Sequence, residues 1–369
     1  MKYYFIYSAG GGAGDWNGVK RIWRDKMPTI LKERVLLKFG DLFFNHASLS
    51  TLIKPTLWNN VTDMRSWLSN AVNDPFVMSG TRILLDSGTS KIVNFIAHNN
   101  SSSPNKIIEE FHNIVNKLKI LEKYAKVIES SNIDEAVTFD VPNPFKIRTQ
   151  SKITATAFFN DSHHNILIKR SAEYSNKLYL LLGNNQTRLL TIVNGLWSVF
   201  QINTFLRMLN YRPKKIAVAG LTRTGKLMTD IIKKLNNIIP FNNLDMIHFL
   251  GCGGLDNSKY IKNIYNGDNI SVDNSTPMNR AIDGNTMGTS QSGYFDYVQH
   301  KLHRIKPVTI NEIISLHNQY PTPIYTTTEL KIILDKILLH QSGHSSVRTY
   351  DARAQLSLHN HDVFRVNAL

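Results

Sequence analysis

Cysteine is nearly missing from this chain: Cys252 is the only one in 369 residues. That excludes internal disulfides and any structural zinc site built from several thiolates. Long apolar runs are missing too. The longest, such as Leu178-Tyr179-Leu180-Leu181-Leu182, fall far short of the roughly 20 residues that span a membrane. The apolar segment Tyr3 to Tyr7 is too short for a signal peptide and is soon broken by Gly10 to Gly14. A cytoplasmic address with no membrane partner is the expectation. Acidic residues are scarce, 28 against 43 Lys and Arg, which leaves a formal net charge of +15. A surplus of that size suits a polyanionic partner, nucleic acid first. With 42% hydrophobic residues, the chain has the material for a folded core of one large or two ordinary domains.

Short β-rich runs that stop at a turn or a polar residue recur eight times: Tyr3 to Ser8, Arg34 to Phe39, Arg82 to Asp86, Ala136 to Asp140, Leu189 to Asn194, Lys215 to Gly220, Met246 to Gly251 and Asn269 to Asp273. Helical periodicity fills the spaces, over Leu49 to Val72, Asn105 to Ile128, Asn165 to Leu178, Leu196 to Leu209, Lys226 to Leu235 and Ser258 to Tyr265. Strands alternating with helices imply parallel strands and right-handed crossovers. Eight units imply an α/β fold, a (β/α)8 TIM barrel, with a doubly wound open sheet as the alternative. The barrel would occupy residues 1–300. Helices over Thr327 to Leu339 and Ser346 to Phe364 would form a C-terminal extension, 301–369, packed on it without a zinc cluster.

A barrel builds its active site at the carboxyl ends of its strands. Here those ends carry Asp86, Asp140, Asn194, Gly220, Gly251 and Asp273. An Asp that ends a strand is often only a turn former, and Asp273 is followed by Asn-Ser-Thr-Pro, which cannot continue a central strand. Three carboxylates around one mouth are less ordinary. Paired carboxylates are the equipment of glycosyl chemistry: one attacks, the other gives and takes a proton.

Other motifs point elsewhere or nowhere. Gly220-Leu221-Thr222-Arg223-Thr224-Gly225-Lys226 nearly spells a P-loop, but Leu227 stands where Mg²⁺ needs a hydroxyl. A nucleotide-binding protein is therefore a weaker alternative than a strand-to-helix turn. Gly10 to Gly14 lacks dinucleotide spacing and suits a flexible loop at the mouth. His163, His164, His340, His344, His359 and His361 do not form a helical zinc pattern, because Gly343 interrupts it and no Glu sits between the pair. They read as surface or core histidines, and Cys252 as a small buried hydrophobe.

Five motifs in order carry a family resemblance: Leu85-Asp86-Ser87-Gly88, Val193-Asn194-Gly195, Ala219-Gly220-Leu221, His248-Phe249-Leu250-Gly251 and Asp273-Asn274-Ser275-Thr276-Pro277. With Leu358-His359-Asn360 in the tail, this pattern resembles the tRNA-guanine transglycosylase-like barrels. The chain lacks that family's cysteine cluster, carries Asn194 where Gln is usual, and places Arg280 one position late. In this it looks more like the branch that inserts 7-deazaguanine bases into DNA.

The resemblance implies a transglycosylase that exchanges guanine for a preQ0-type 7-deazaguanine, with DNA as partner and tRNA as the alternative, and no cofactor or metal. Asp273 would be the nucleophile and Asp86 the acid and base. Ser87, Asp140, Asn194, Gly195, Gly220 and Leu221 would hold the base, and Thr276 and Arg280 would touch the polynucleotide. A non-catalytic nucleic-acid-binding barrel is the remaining alternative.

Overall fold

The computed structural model describes residues 1–7, 26–45, 49–67, 80–99, 104–142, 145–148, 153–157, 161–221, 227–275, 277, 293–321, 324–341 and 350–369. Its strands are β1 (Lys2–Tyr7), β2 (Arg34–Lys38), β3 (Arg82–Asp86), β4 (Glu135–Val137), β5 (Phe145–Arg148), β6 (Ile153–Ala157), β7 (Leu189–Asn194), β8 (Lys215–Ala219), β9 (Met246–Phe249), β10 (Ile270–Asp273), β11 (Gly293–Phe295) and β12 (Leu302–Arg304). Eight of them, β1 to β4 and β7 to β10, close a barrel in chain order, with β10 pairing back onto β1. Every pair in the ring is parallel. The expected (β/α)8 barrel is the fold, and each of its strands falls on one of the eight runs.

These runs form strands because both faces are buried. Leu189–Asn194 is buried throughout, as expected of parallel strands covered by helices outside and side chains within. Inward-facing Tyr4, Ile6, Leu36, Leu84, Val137, Leu190, Ile192, Ala217 and Met246 fill the barrel. Two larger apolar clusters lie between the barrel and its helices. Burying one such aliphatic side chain is worth about 1.5–3 kcal/mol, so the phase of each strand is firmly set. Any residue two places beyond an interior residue on a strand also points into the barrel.

The helical layer departs from expectation in several places. The run expected over Leu49 to Val72 is broken: a short helix, Pro55–Asn60, with Pro55 in its first turn, ends at extended backbone at Val61, helical backbone resumes over residues 64–67, and residues 68–72 lie outside the described part. The segment expected as one helix over Asn105 to Ile128 is two, Pro104–Lys117 and Ile120–Ser130, parted by Lys119 in the left-handed region at φ 51°. A helix Thr89–Asn99 follows β3 directly, burying Ile92, Val93, Ile96 and Ala97 along one side. Another unexpected helix, Ile310–Gln319, precedes the tail helices Thr327–Gln341 and Tyr350–Ala368. Two small antiparallel hairpins, β5–β6 and β11–β12, complete the described structure.

Helix Tyr350–Ala368 packs on β1, on β11 and on helix Leu255–Ile264. His359 and Asn360 act as a side-chain extension of the hairpin. The His359 ring meets the Phe295 carbonyl at 2.7 Å, and Asn360 accepts from the Phe295 N–H and donates to the Gly293 carbonyl, both at 3.0 Å. Among the described residues no helix is long and apolar enough to cross a membrane.

Candidate active site

Asp273 ends β10 on the inward phase and is 4% exposed. Its Oδ1 accepts from the Gly251 N–H at 2.8 Å and lies 2.9 Å from His248 Nε2. As a carboxylate Asp273 accepts from Nε2–H, and the other ring nitrogen, Nδ1, lies 2.9 Å from the Ser271 hydroxyl. Among the described residues both of these hydrogen bonds fall on Oδ1 rather than Oδ2. The backbone is pinned as well: Gly253 N–H donates to the Asp273 carbonyl at 2.8 Å. A Cβ on Gly253 would come within 2.9 Å of the Tyr3 ring and 3.2 Å of the Asp273 backbone, so glycine is needed for that approach.

Across the mouth, Asp86 ends β3 and Asp140 follows β4. Burial raises the pKa of Asp86; Lys38 opposes the rise and the charge of Asp273 adds to it. Burial likewise lifts Asp140, to about 7, against a hydrogen bond from the Thr89 hydroxyl at 3.2 Å and with the help of the Asp86 charge. Asp86, Asp140 and Asp273 thus share one low-dielectric mouth, and two of them hold protons more tightly than a carboxyl in water. The loop that carries Asp86 is fixed by paired glycines. Gly88, at φ +70°, lies so close to Gly40 that a Cβ on it would come within 2.7 Å of the Gly40 nitrogen.

Ser87 is buried beside Asp86. Asn194 ends β7, where its Oδ1 accepts from the Leu196 N–H at 2.9 Å, which orients the amide. Gly220, at φ +85°, gives that amide room, since a Cβ there would stand 2.7 Å from Asn194 Oδ1. Gly195 has both backbone groups engaged internally: its N–H donates to the Ala219 carbonyl at 2.9 Å, and its carbonyl accepts from Lys234 at 2.8 Å. Leu221 turns its side chain into the core outside the barrel, against Gly195. A cavity of about 440 Å³ opens beside the β9 and β10 ends, lined by Gly251, Gly254, Asn257, Asn274, Ser275 and Phe295 among others. Thr276, Arg280, the stretch Gly10 to Gly14 and Thr222 to Lys226 lie outside the described residues.

Three mouth residues were not singled out from the sequence. Lys38 ends β2 in register with Asp86, and it lies two places after interior Leu36. Burial would lower its pKa, but the carboxylates of Asp41, Asp86 and Asp273 outweigh that and hold it above the usual lysine value. His248 stood within a motif but with no role, and Thr89 opens the unexpected helix. The first two lie on the inward phase of their strands, which an apolar run does not reveal by itself.

His359, His361 and Cys252 sit where structural residues sit, buried in the fold, and His344 lies outside the described residues. His361 meets the Tyr3 hydroxyl at 2.8 Å and burial pushes it down to about 3. His359 stacks on Tyr294 and burial lowers it to about 4. Burial raises the Cys252 thiol, the opposite of a reactive thiolate. Among the described residues no group of three or more His, Cys, Asp or Glu is placed to hold a metal ion. Scans against known protein families and against curated proteins find no match to this chain.

Proposed function

We propose that the barrel is a base-exchanging transglycosylase, which replaces guanine in DNA by a 7-deazaguanine through a covalent aspartyl-nucleoside. The observation that carries this reading is the division of labour in the mouth. One carboxylate is oriented through a single oxygen by His248 and the Gly251 N–H, and it faces two carboxyls whose pKa values are raised.

In this mechanism Asp273 Oδ2 attacks C1′ of a guanine nucleoside, and Asp86 protonates the departing base. The incoming base then gives its proton to Asp86 and displaces the ester, the logic of a retaining glycosidase with a base in place of water. A protonated Asp86 is the required starting state, and its raised pKa favours it. Asp140 and Asn194 would bind the polar edge common to both bases, and the Gly220–Leu221 backbone would meet the 7-substituent. The reacting base has to leave its stack, at a cost of a few kcal/mol. A basic surface offsets this with phosphate contacts, so binding falls steeply with salt.

The test is to incubate the protein with DNA or tRNA carrying labelled guanine, with and without a 7-deazaguanine, and to denature. Labelled guanine released from DNA, and a denaturation-stable protein–DNA adduct that Asp273→Ala cannot form, are expected. Release from tRNA alone would transfer the reading to that polynucleotide; release from neither, or an adduct that survives Asp273→Ala, would overturn it.

A further inference from the structure

We propose that Lys38 is the fixed counter-cation of the reaction: a positioning residue whose ammonium neutralises the negative charge as it passes from Asp273 to Asp86 and back. The inference rests on the transglycosylase reading and deepens it.

The placement comes from the barrel itself. β2 lies between β1 and β3, and β1 in turn pairs with β10, so the end of β2 is the rim position between the two reacting carboxylates. Lys38 is the register partner of Asp86, while Asp273 is the register partner of Tyr4 on β1. Interior Leu36 and Leu84 fix the phase, so Lys38 and Asp86 both point into the mouth.

Among the described residues the charged groups around it can be named. Asp86 faces Lys38 from β3, Asp273 from β10 and Asp41 from the short helix Phe39–Phe43. Asp41 has its own cation, Lys91 of helix Thr89–Asn99 at 2.7 Å, and its carbonyl accepts from Lys54 at 2.8 Å. Asp140 and Tyr124 lie near Asp86, and Tyr3, Cys252 and His248 near Asp273. Among the described residues Lys38 is the cation that bears on Asp86 and on Asp273 together.

The chemistry needs such a group. The mechanism starts with Asp273 as the carboxylate and the proton on Asp86, the group whose pKa burial raises. When Oδ2 forms the C1′–O bond, the C1′–N9 bond breaks and its electron pair leaves with guanine, which takes the proton of Asp86. Asp273 is now a neutral ester and Asp86 an anion. One unit of negative charge has crossed the mouth with no change in the total, and the second half-reaction returns it. A buried charge that moves without a partner would be costly at one end of its path. A cation between the two positions, already oriented, stabilises both states without reorganisation.

Removing the cation raises the pKa of both carboxylates. In single-turnover adduct formation, the acidic limb reports ionisation of Asp273 and the alkaline limb loss of the Asp86 proton. Lys38→Met, which keeps the stem, should slow the maximal rate on the order of a hundredfold and move both limbs to higher pH. Lys38→Arg should return the limbs to their original positions, and Lys38→Gln replaces Met if that variant does not fold. A slower Met variant with unmoved limbs would reduce Lys38 to a structural residue and overturn the proposal.

A second measurement needs no turnover. Titration of ¹³C-carboxyl-labelled aspartate by NMR, with Asp86 assigned from Asp86→Asn, should show Asp86 titrating higher in Lys38→Met. An unchanged titration overturns the proposal by itself. A raised titration in a protein that exchanges no base in DNA or tRNA sinks the transglycosylase reading, and the charge-carrier role falls with it.

Discussion

The two ends of the barrel hold buried carboxylates of the same chemical kind in opposite circumstances. At the amino-terminal end, Glu135 has no exposed surface, and Arg82 embraces it: Nε lies 3.0 and 3.1 Å from its two oxygens and a terminal nitrogen bonds Oε1. Lys215 stands 3.6 Å away and the Tyr4 hydroxyl donates at 3.4 Å. One anion there faces two cations. At the carboxyl-terminal end, Asp86 and Asp273 face Lys38, which Asp41 also draws on, and Asp140 lies beside Asp86; Lys91 is committed to Asp41. The lower site satisfies its charge. Among its described residues the upper site leaves acidic groups in surplus, and burial raises the pKa of Asp86 and Asp140. The difference is that between a plug and the proposed reaction centre, and it matches the general division of labour between the two faces of such barrels. The whole chain is strongly basic while its mouth is acidic. In the proposed reading, phosphates would thus be attracted to the protein but kept out of the mouth, which would admit a base.

The most decisive way to break this comparison is to remove the proposed nucleophile. Asp273→Asn keeps the shape and takes one negative charge from a crowded site. Adduct formation and base exchange should fall at least about a thousandfold, while the thermal midpoint stays within a few degrees of the parent. Calorimetry and adduct trapping on one preparation check both halves. A large loss of stability would mean that Asp273 is part of the scaffold after all, like its counterpart below.

The reverse is expected of Arg82→Met. It leaves Glu135 fully buried with only Lys215 and Tyr4, and breaking a buried pair in this way costs about 3–5 kcal/mol. The half-exposed Arg82 side chain is itself easily removed, so the loss lies with the stranded carboxylate. Urea unfolding should show the deficit, and the folded fraction should keep its exchange rate. An intact stability would remove the lower cluster from the role of plug.

How much of this contrast could be read from the chain alone follows from the same alternation. The eight strands were legible because parallel strands covered on both sides are short aliphatic runs, and their polar ends marked the mouth. Asp86, Asp140 and Asp273 were therefore visible as strand ends. Lys38, His248 and the Arg82–Glu135 plug were not. When both faces of a strand are apolar, nothing in its pattern says which one faces inward, and that phase decides whether Lys38 lies in the mouth or on the surface. The break at Lys119 has no Gly or Pro to announce it, and hairpins of three to five residues per strand, β5–β6 and β11–β12, leave too short a pattern to read. The helix Thr89–Asn99 was hidden because Ser-Gly after Asp86 reads as the end of an element rather than the approach to the next.

The smallest expected effect tests the surplus of charge above. Asp140 holds its proton to about pH 7 in the folded chain, chiefly through burial, but only to the ordinary carboxyl value when unfolded. Between those two values the native state binds more protons than the unfolded one, so stability declines as pH rises from about 4 to about 7 and levels off above. Asp140→Asn cannot ionise and can still hydrogen-bond Thr89, so it escapes that decline. The variant should match the parent at pH 4 and exceed it at pH 8, by about 1–3 kcal/mol once relaxation of the site is allowed for. Urea titrations at the two pH values measure the difference. A gain of equal size at both would mean that Asn simply packs better, and no gain at either would mean that the folded site already offsets the Asp140 charge. A gain confined to high pH would show that the mouth sacrifices stability to keep a proton available, while Glu135, held by Arg82 at the other end, sacrifices none.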